Sequence, residues 1–308
     1  MERAVNFEEI FEKDILHYAD SSKFCSVGFG GQFEWLILPK TSQDFCEYIS
    51  FLNNKQTPYK VLGNMTNIIP QDGLMKGIFV STKLIKEPPK VVGNRIIANA
   101  GASLFEVCKV ALEHELGGIE KLCGIPGTVG GAIFNNAGAF GTEIANVLES
   151  VLVIDGLEMK SLPVADLGLN YRTSNFKTNK QIILSATFML HSSNKNDIIS
   201  TMRECAKKRS QTQPQAASAG SVFKRTALGA AGMLLDKCGL KGKTCGGAEI
   251  SKKHANFVIN NGGATCQDYK TLVKLATDTV WQNFGIELER EVEYLGENNE
   301  SNSRLSHT

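Results

Sequence analysis

The sequence has no long hydrophobic run, almost no net charge and no closely paired cysteines. No stretch approaches the roughly 18 consecutive apolar residues that read as a membrane-spanning helix, and the start, MERAVNFEEIFEKDI, is acidic where a signal peptide would be basic. The formal net charge is +1 at pH 7, so no overall field favours nucleic acid or an anionic membrane. The eight cysteines contain no C-x-x-C pair. We therefore expect a cytoplasmic protein that binds neither nucleic acid nor membrane.

Common nucleotide and metal motifs are also missing. The Gly-Lys-Thr at 242–244 is not a phosphate-binding P-loop, because Lys237 stands where that motif requires glycine. No G-x-G-x-x-G follows a predicted strand as in a Rossmann fold. The histidines share no metal-ligand spacing, so no metal site is expected.

What is present is enough chain for two or three subdomains. A length of 308 residues exceeds what one hydrophobic core usually serves, and 42% hydrophobic with 21% charged residues is typical of a soluble globular protein. Apolar periodicity predicts helices over 42–52, 103–115, 197–209, 230–238 and 267–284. It predicts strands over 33–38, 59–62, 77–81, 91–98, 150–154, 181–190, 256–259 and 289–295.

Two glycine-rich turns carry the first functional signal. The first glycine turn, residues 62–67 (LGNMTN), closes a predicted β-α-β unit, and the second glycine turn, residues 126–131 (PGTVGG), opens a Gly/Asn-rich segment that runs to 141. Such turns expose backbone N–H groups that can hold a pyrophosphate, although each alone is more often an ordinary turn. Together they favour a dinucleotide site. The residues expected to contact the cofactor are Gly63, Asn64, Met65, Thr66, Asn67, Gly127, Thr128, Val129, Gly130, Asn136, Gly138, Ala139 and Gly141.

Four separated motifs complete a family resemblance. The segments PGTVGGAIFNNAGAFG, YRTSNFK, SAGSVFKR and HANFVINNGGAT with LEREVEYLG occur in order, in a match that runs from about Gly30 to Gly296. In this set the chain resembles the UDP-N-acetylenolpyruvoylglucosamine reductases, in the branch that lacks an inserted tyrosine-bearing loop.

The resemblance implies an α+β fold, with a PCMH-type FAD-binding unit of two subdomains followed by a C-terminal α/β substrate-binding domain. The boundaries predicted here are 1–85 and 86–209 for the two subdomains, 210–298 for the C-terminal domain and 299–308 for a polar tail. It also implies FAD and NADPH as cofactors, reduction of an enolpyruvyl UDP-sugar in peptidoglycan synthesis, and a small-molecule substrate as the partner of an expected monomer.

The resemblance assigns three catalytic residues. Ser221 matches the proton donor, Arg172 the arginine facing the enolpyruvyl group and Glu291 the catalytic glutamate. A small-residue loop lets the Ser221 hydroxyl reach a reacting carbon, and a guanidinium can bind a carboxylate through two parallel hydrogen bonds. Without the other motifs, Ser221 would read as a turn-capping serine, and the two charges would read as solvated groups at a sheet edge.

Substrate contacts are expected from Tyr171, Lys224, Arg225, His254 and Asn256, although His254 fits a purely structural role nearly as well. Four residues depart from the family pattern: Met65 and Thr66 in the first glycine turn, Thr212 where a basic residue is common, and Thr226 where proline is common. Two alternatives stay open. One is a PCMH-type flavin oxidase with another small substrate, and the other is a flavoprotein that binds nucleotide without turnover.

Overall fold

The computed structural model describes residues 13–296. The acidic N-terminal stretch before residue 13 and the predicted tail at 299–308 lie outside the described residues. By its internal contacts the chain divides into two compact units. The first unit comprises the residues up to His17, Trp35–Asn64 and Ile78–Gln213, and the second comprises Tyr18–Glu34, Met65–Gly77 and the residues from Pro214 onward. The predicted boundaries at 85/86 and 209/210 stay predictions.

The helices and strands follow in chain order. The α-helices found in residues 13–296 are α1 (Ser42–Asn54), α2 (Leu104–Glu113), α3 (Val129–Phe134), α4 (Lys195–Thr212), α5 (Ala231–Lys237) and α6 (Cys266–Phe284). The strands in the same range are β1 (Ile15–Asp20), β2 (Gln32–Ile37), β3 (Tyr59–Leu62), β4 (Ile68–Pro70), β5 (Leu74–Ser81), β6 (Lys90–Val92), β7 (Arg95–Asn99), β8 (Leu116–Gly117), β9 (Gly138–Ala139), β10 (Thr142–Glu143), β11 (Leu148–Asp155), β12 (Glu158–Pro163), β13 (Ile182–Met189), β14 (His191–Ser192), β15 (Thr244–Cys245), β16 (Ala248–Ile250), β17 (Val258–Asn260) and β18 (Glu293–Leu295).

The first unit is built around an antiparallel sheet of order β12-β11-β13-β7-β6. Alternate residues of β11 and β13 point into an apolar core that also takes the buried faces of α2 and α3. The strand predicted over 91–98 is divided into β6 and β7, which are joined as a hairpin at Gly93-Asn94, where Gly93 has the positive φ of 60° that such a turn favours. Helix α2 begins with a capping box, in which the Ser103 hydroxyl accepts the Glu106 amide and the Glu106 carboxylate accepts the Ser103 amide.

A four-stranded sheet of order β1-β2-β5-β3 contains the predicted β-α-β unit. Its strands β2 and β3 and its helix α1 lie where the sequence places them, but β5 lies between β2 and β3 and pairs with β3 in parallel. Strand β1 escaped the sequence prediction because its polar and half-exposed residues show no apolar alternation.

The second unit packs α5 and α6 with the small antiparallel sheet β15-β16-β17 around one apolar core. Helix α6 buries one stripe of residues and begins with a capping box formed by Thr265 and Asp268. Two strands are shorter than predicted: β17 begins at Val258 instead of 256, and β18 begins at Glu293 instead of 289. Strand β18 pairs in parallel with β4. The described elements confirm the predicted α+β class.

Candidate active site

The two glycine turns meet in the first unit. A Cβ atom added to Gly63 would lie 2.5 Å from the Thr128 Oγ1 atom, so only glycine allows the backbone of the first turn to approach the second this closely. Gly127 has a φ of +130°, a conformation that favours glycine. Asn64 is half-buried and ends the segment Trp35–Asn64 of the first unit, so the first glycine turn continues into the second unit at Met65. The approach creates a surface made of backbone, as a pyrophosphate site requires.

The second glycine turn runs directly into α3, a helix that the sequence prediction missed because glycine is a poor helix former. Thr128 is buried and caps this helix, and its Oγ1 accepts the Gly131 amide at 3.2 Å. The amide of Val129 donates to the Ala102 carbonyl at 2.8 Å, and that of Gly130 to the Ala100 carbonyl at 2.9 Å. These two amides therefore hold the turn against the segment that directly follows β7. That Val129 and Gly130 contact the cofactor stays a prediction.

The Gly/Asn-rich segment after α3 is divided between support and surface. Asn136 is fully buried with a positive φ of 40°, and its side-chain amide donates to Asn170 O while its oxygen accepts from the Ala145 amide. Its side chain therefore supports the loop from inside. Gly138 and Ala139 form the short strand β9, and Gly141 follows with a φ of +81° at an exposed position.

The YRTSNFK motif is tied to that same segment. Residues 170–173 form a tight turn in which Asn170 and Thr173 exchange both backbone hydrogen bonds, and Arg172 has a φ of +55°, which is unusual for a non-glycine residue. The Arg172 guanidinium donates to the Gly138 carbonyl at 3.2 Å and stacks 5.0 Å from the Tyr171 ring, which is itself exposed. Buried Ser174 donates to the Phe134 carbonyl at the end of α3. A strained backbone held from both sides is typical of a functional position.

In the second unit, the remainder of the first glycine turn is held by hydrogen bonds to distant segments. Met65 is 4% exposed with a φ of +49°, and its carbonyl accepts the Ser26 amide. Thr66 follows as a half-buried residue. The Asn67 side-chain amide donates to the Glu291 carbonyl at 3.0 Å, and the Asn67 carbonyl accepts the Glu293 amide. Asn67 therefore anchors the segment that carries Glu291, a predicted catalytic residue, and leads into β18.

The SAGSVFKR, HANF and LEREV motifs are joined at one short segment, residues 221–224. The Val222 amide donates to the Asn256 carbonyl, and the Val222 carbonyl accepts the Glu291 amide, both at 2.8 Å. Buried Asn256 uses its whole side chain on Phe223, with Oδ1 accepting the Phe223 amide and Nδ2 donating to the Phe223 carbonyl. Ser221 is half-buried and follows Gly220, whose φ is +78°. The geometry thus joins the SAGSVFKR, HANF and LEREV motifs, and Asn256 orients the loop through its backbone.

The basic residues of this loop lie at the edge of the convergence. Half-buried Lys224 forms an ion pair with exposed Glu289, and the Lys224 amide donates to the Glu289 carbonyl. Arg225 is exposed. The Glu291 side chain is half-buried.

His254 lines a cavity of about 520 Å³ in the second unit, together with Met233, Lys237, Lys241 and Lys253. Its Nδ1 accepts the Asn256 amide at 3.2 Å and its ring packs edge-on against Phe257. Burial, with the charge of Lys241, lowers the pKa of His254 below the usual histidine value. The ring is therefore neutral at pH 7. His254 has the structural role of accepting the Asn256 amide, and it also lies at the wall of the cavity.

Some residues of the site escaped the sequence prediction. Ser26 and Asn170 carry hydrogen bonds to distant segments, but each is a lone polar residue with no local pattern that marks it. Ser174 stands inside the YRTSNFK motif, but nothing in the sequence indicated that its hydroxyl bonds the end of α3. Among the helices within residues 13–296, none has both the length and the apolar character to cross a bilayer.

Comparison with known proteins agrees with these motifs. Residues 213–295 match the model described as UDP-N-acetylenolpyruvoylglucosamine reductase, C-terminal domain, and residues 33–157 match the model described as FAD binding domain. The reductase of Listeria innocua is 40% identical over 90% of this chain and 93% of its own, and that of Clostridium kluyveri is 38% identical over 96% and 97%. Both carry the name UDP-N-acetylenolpyruvoylglucosamine reductase.

A solved structure extends the agreement to the fold. The enzyme of the same name from Thermus caldophilus is 29% identical, covers 91% of this chain and 98% of its own, and has a TM-score of 0.77. The predicted PCMH-type FAD-binding unit followed by a C-terminal domain is confirmed. With the glycine turns, the YRTSNFK turn and the Ser221 loop in place, the chain belongs to the UDP-N-acetylenolpyruvoylglucosamine reductase family.

Proposed function

We propose that this protein is an NADPH-dependent flavoenzyme that reduces UDP-N-acetylenolpyruvoylglucosamine to UDP-N-acetylmuramate in peptidoglycan synthesis. Named in the reverse direction, the activity is that of a UDP-N-acetylmuramate dehydrogenase. The observation that carries the proposal is the hydrogen bond of 2.8 Å from the Glu291 amide to the Val222 carbonyl, which puts Glu291 beside the Ser221 loop. Family membership supplies the chemistry that this pair would serve.

The chain's own residues fit FAD at the meeting of the glycine turns. A cofactor pyrophosphate needs a backbone surface without side chains, and the close approach of Gly63 to Thr128 together with the φ of Gly127 provides one. We assign its contacts to Gly63, Gly127 and Thr128, with Val129 and Gly130 holding the turn in place. FAD held there would supply the hydride chemistry between NADPH and the enolpyruvyl group.

Arg172 binds and orients the substrate carboxylate. Its guanidinium is held by the Gly138 carbonyl and the Tyr171 ring, so its planar fork is restrained before substrate arrives. Negative charge that develops toward the carboxylate during reduction would be stabilised by this cation.

Ser221 delivers a proton to the enolpyruvyl carbon adjacent to the methylene carbon that takes the hydride. Glu291, together with Arg172, stabilises the enolic intermediate of the substrate between these two additions. A hydroxyl on a half-buried loop of small residues can reach a substrate carbon, and general acid catalysis of this kind contributes about 10²–10⁴-fold in rate. Lys224, Arg225 and His254 supply polar and positive groups for the anionic sugar nucleotide.

The remaining assignments are proposed on the same basis. Residues 1–85 and 86–209 form the FAD-binding subdomains and residues 210–298 carry substrate groups. The enzyme acts as a monomer in the cytoplasm. Small molecules are its partners, and no metal or nucleic acid takes part.

Anaerobic absorbance spectroscopy of the purified protein tests the function. The protein should be yellow, NADPH should bleach the flavin band, and the enolpyruvyl UDP-sugar should restore it. Restoration by oxygen alone, with no response to the sugar nucleotide, would support an oxidase with another substrate. A flavin band that NADPH bleaches and that neither the sugar nucleotide nor oxygen restores would support a flavoprotein without turnover. A colourless protein that takes up no FAD would refute the proposal outright.

A further inference from the structure

Ser26 lies between two functional segments of the second unit that are far from it in sequence. Its hydroxyl donates to the Ser218 carbonyl at 2.7 Å, three residues before Ser221. Its amide donates to the Met65 carbonyl at 3.3 Å, in the first glycine turn. One half-buried serine therefore holds the glycine turn with its backbone and the Ser221 loop with its side chain.

Neighbouring hydrogen bonds make this arrangement rigid. The Asn260 side chain donates to the Val27 carbonyl at 2.9 Å, and the Asn260 amide donates to the Ala217 carbonyl at 2.9 Å. Segment 26–27 and segment 217–218 are thus bridged twice, once by Ser26 and once by Asn260. Beyond Ser218, the next backbone hydrogen bond that holds the loop is at Val222.

Residues 219–221 therefore span the interval between two anchored points, Ser218 and Val222. Gly220, with its φ of +78°, gives that interval the freedom to move. A shift of about 1 Å in a reacting group can lower a rate about 10²-fold, so the position of the Ser221 hydroxyl depends on both anchors.

We propose that Ser26 is a positioning residue that sets the reach of the Ser221 hydroxyl by fixing the Ser218 carbonyl. The expected slowing of flavin reoxidation rests on the proposed function, whereas the expected loosening of the Ser221 loop does not. Ser26→Ala removes the short bond from the hydroxyl to Ser218 and the longer hydroxyl contact of 3.4 Å to the Met65 carbonyl. It keeps the backbone amide that donates to the same Met65 carbonyl, so the glycine turn retains its main-chain hydrogen bond.

The experiment compares Ser26→Ala, Ser26→Thr and Ser22→Ala in the full chain. Ser22 is the matched control, because it loses a serine hydroxyl from the same stretch, where that hydroxyl bonds Asp20 and not the Ser221 loop. In Ser26→Ala, flavin reoxidation by the enolpyruvyl UDP-sugar should slow about 10- to 100-fold, and bleaching by NADPH should stay within about twofold of wild type. Ser26→Thr, which keeps the hydroxyl, should restore most of the rate.

Hydrogen exchange measured by mass spectrometry gives a readout that does not depend on activity. Amides of peptides covering 217–223 should exchange about 10-fold faster in Ser26→Ala than in Ser22→Ala, while peptides from α6 stay unchanged. Unchanged exchange at 217–223 would overturn the inference whatever the enzyme does. Faster exchange with equal slowing of both half-reactions, or with no slowing, would also overturn it, because the bond would then be structural only. A wild-type protein that ignores the sugar nucleotide would instead refute the proposed function, and the exchange result would still judge the Ser26 bond.

Discussion

The predicted site residues of each unit are held in a different way. In the first unit, Gly63 and Gly127 bring backbone against Thr128, and side chains such as Asn136 and Ser174 are buried supports. In the second unit, backbone hydrogen bonds hold residues 221–224 between Asn256 and Glu291. A cofactor present in every turnover suits a backbone surface, whereas a proton transfer needs one side chain at a chosen position. The predictions below separate these two constructions.

Ser221→Ala should have the largest effect on rate, and that effect should be confined to the half-reaction in which the substrate takes up its proton. Without the hydroxyl, reoxidation of the flavin by the enolpyruvyl substrate should slow by about 10²–10⁴-fold, roughly 3–5 kcal/mol of transition-state stabilisation. Reduction by NADPH should be unaffected. Stopped-flow absorbance of each half-reaction measures both, and Ser221→Cys should recover part of the rate because a thiol also donates a proton. Equal slowing of the two halves would contradict the assignment.

Asn256→Ala should mainly lower stability. Its side chain satisfies both the amide and the carbonyl of buried Phe223, and leaving these two groups unpaired costs about 2–4 kcal/mol in total. Urea unfolding should show this loss, and the Ser221 half-reaction should slow as well. Asn283→Ala, which loses one hydrogen bond to the Thr279 carbonyl at an exposed position, serves as the control and should lose less than about 1 kcal/mol. If Asn256→Ala left the free energy of unfolding unchanged, the loop would not depend on the Asn256 side chain.

Gly63→Ala should weaken flavin binding and spare the second unit. The added Cβ would lie 2.5 Å from Thr128 Oγ1, and overpacking of this kind costs about 1–3 kcal/mol, which corresponds to about 10- to 100-fold in affinity. FAD titration followed by fluorescence measures it. Gly131→Ala is the matched control, because its Cβ would lie 3.4 Å from the same oxygen, an ordinary contact. Equal affinities for the two variants would mean that the turns need not approach.

The smallest effect concerns Cys123, just ahead of the second glycine turn. The neighbouring, buried Cys108 thiol lowers the pKa of Cys123 to about 7. Its alkylation rate should therefore rise through pH 7, as the reactive thiolate forms. Replacing Cys108 with alanine should move the midpoint upward, toward the usual thiol range. Cys238 supplies the comparison, since burial raises the pKa of its thiol and its alkylation should begin at higher pH. Mass spectrometry measures the alkylation rates of both thiols from pH 5 to 9. If the midpoint for Cys123 does not move when Cys108 is replaced, Cys108 is excluded as the cause of the lowered pKa.

Much of the fold could be predicted because its signals are local. The cap at Ser103, the turn at Gly93-Asn94 and the apolar stripe of α6 each depend on residues a few positions apart. Helix α3 was missed for the opposite reason. Its glycines oppose helix formation, and only the Thr128 cap and the packing of Val129 and Ile133 into the core make it helical.

The sequence by itself determined the family, the α+β class and the motifs with their glycines, because residue identity and spacing along the chain specify these. Only the tertiary structure decided which motif residues support and which are presented. It buried Asn136 and Asn256 as supports, used the amides of Val129 and Gly130 inside the protein, and gave Ser26 a part in the Ser221 loop. A hydrogen-bond partner far away in the chain leaves no local pattern, because any donor that folding brings within reach can serve.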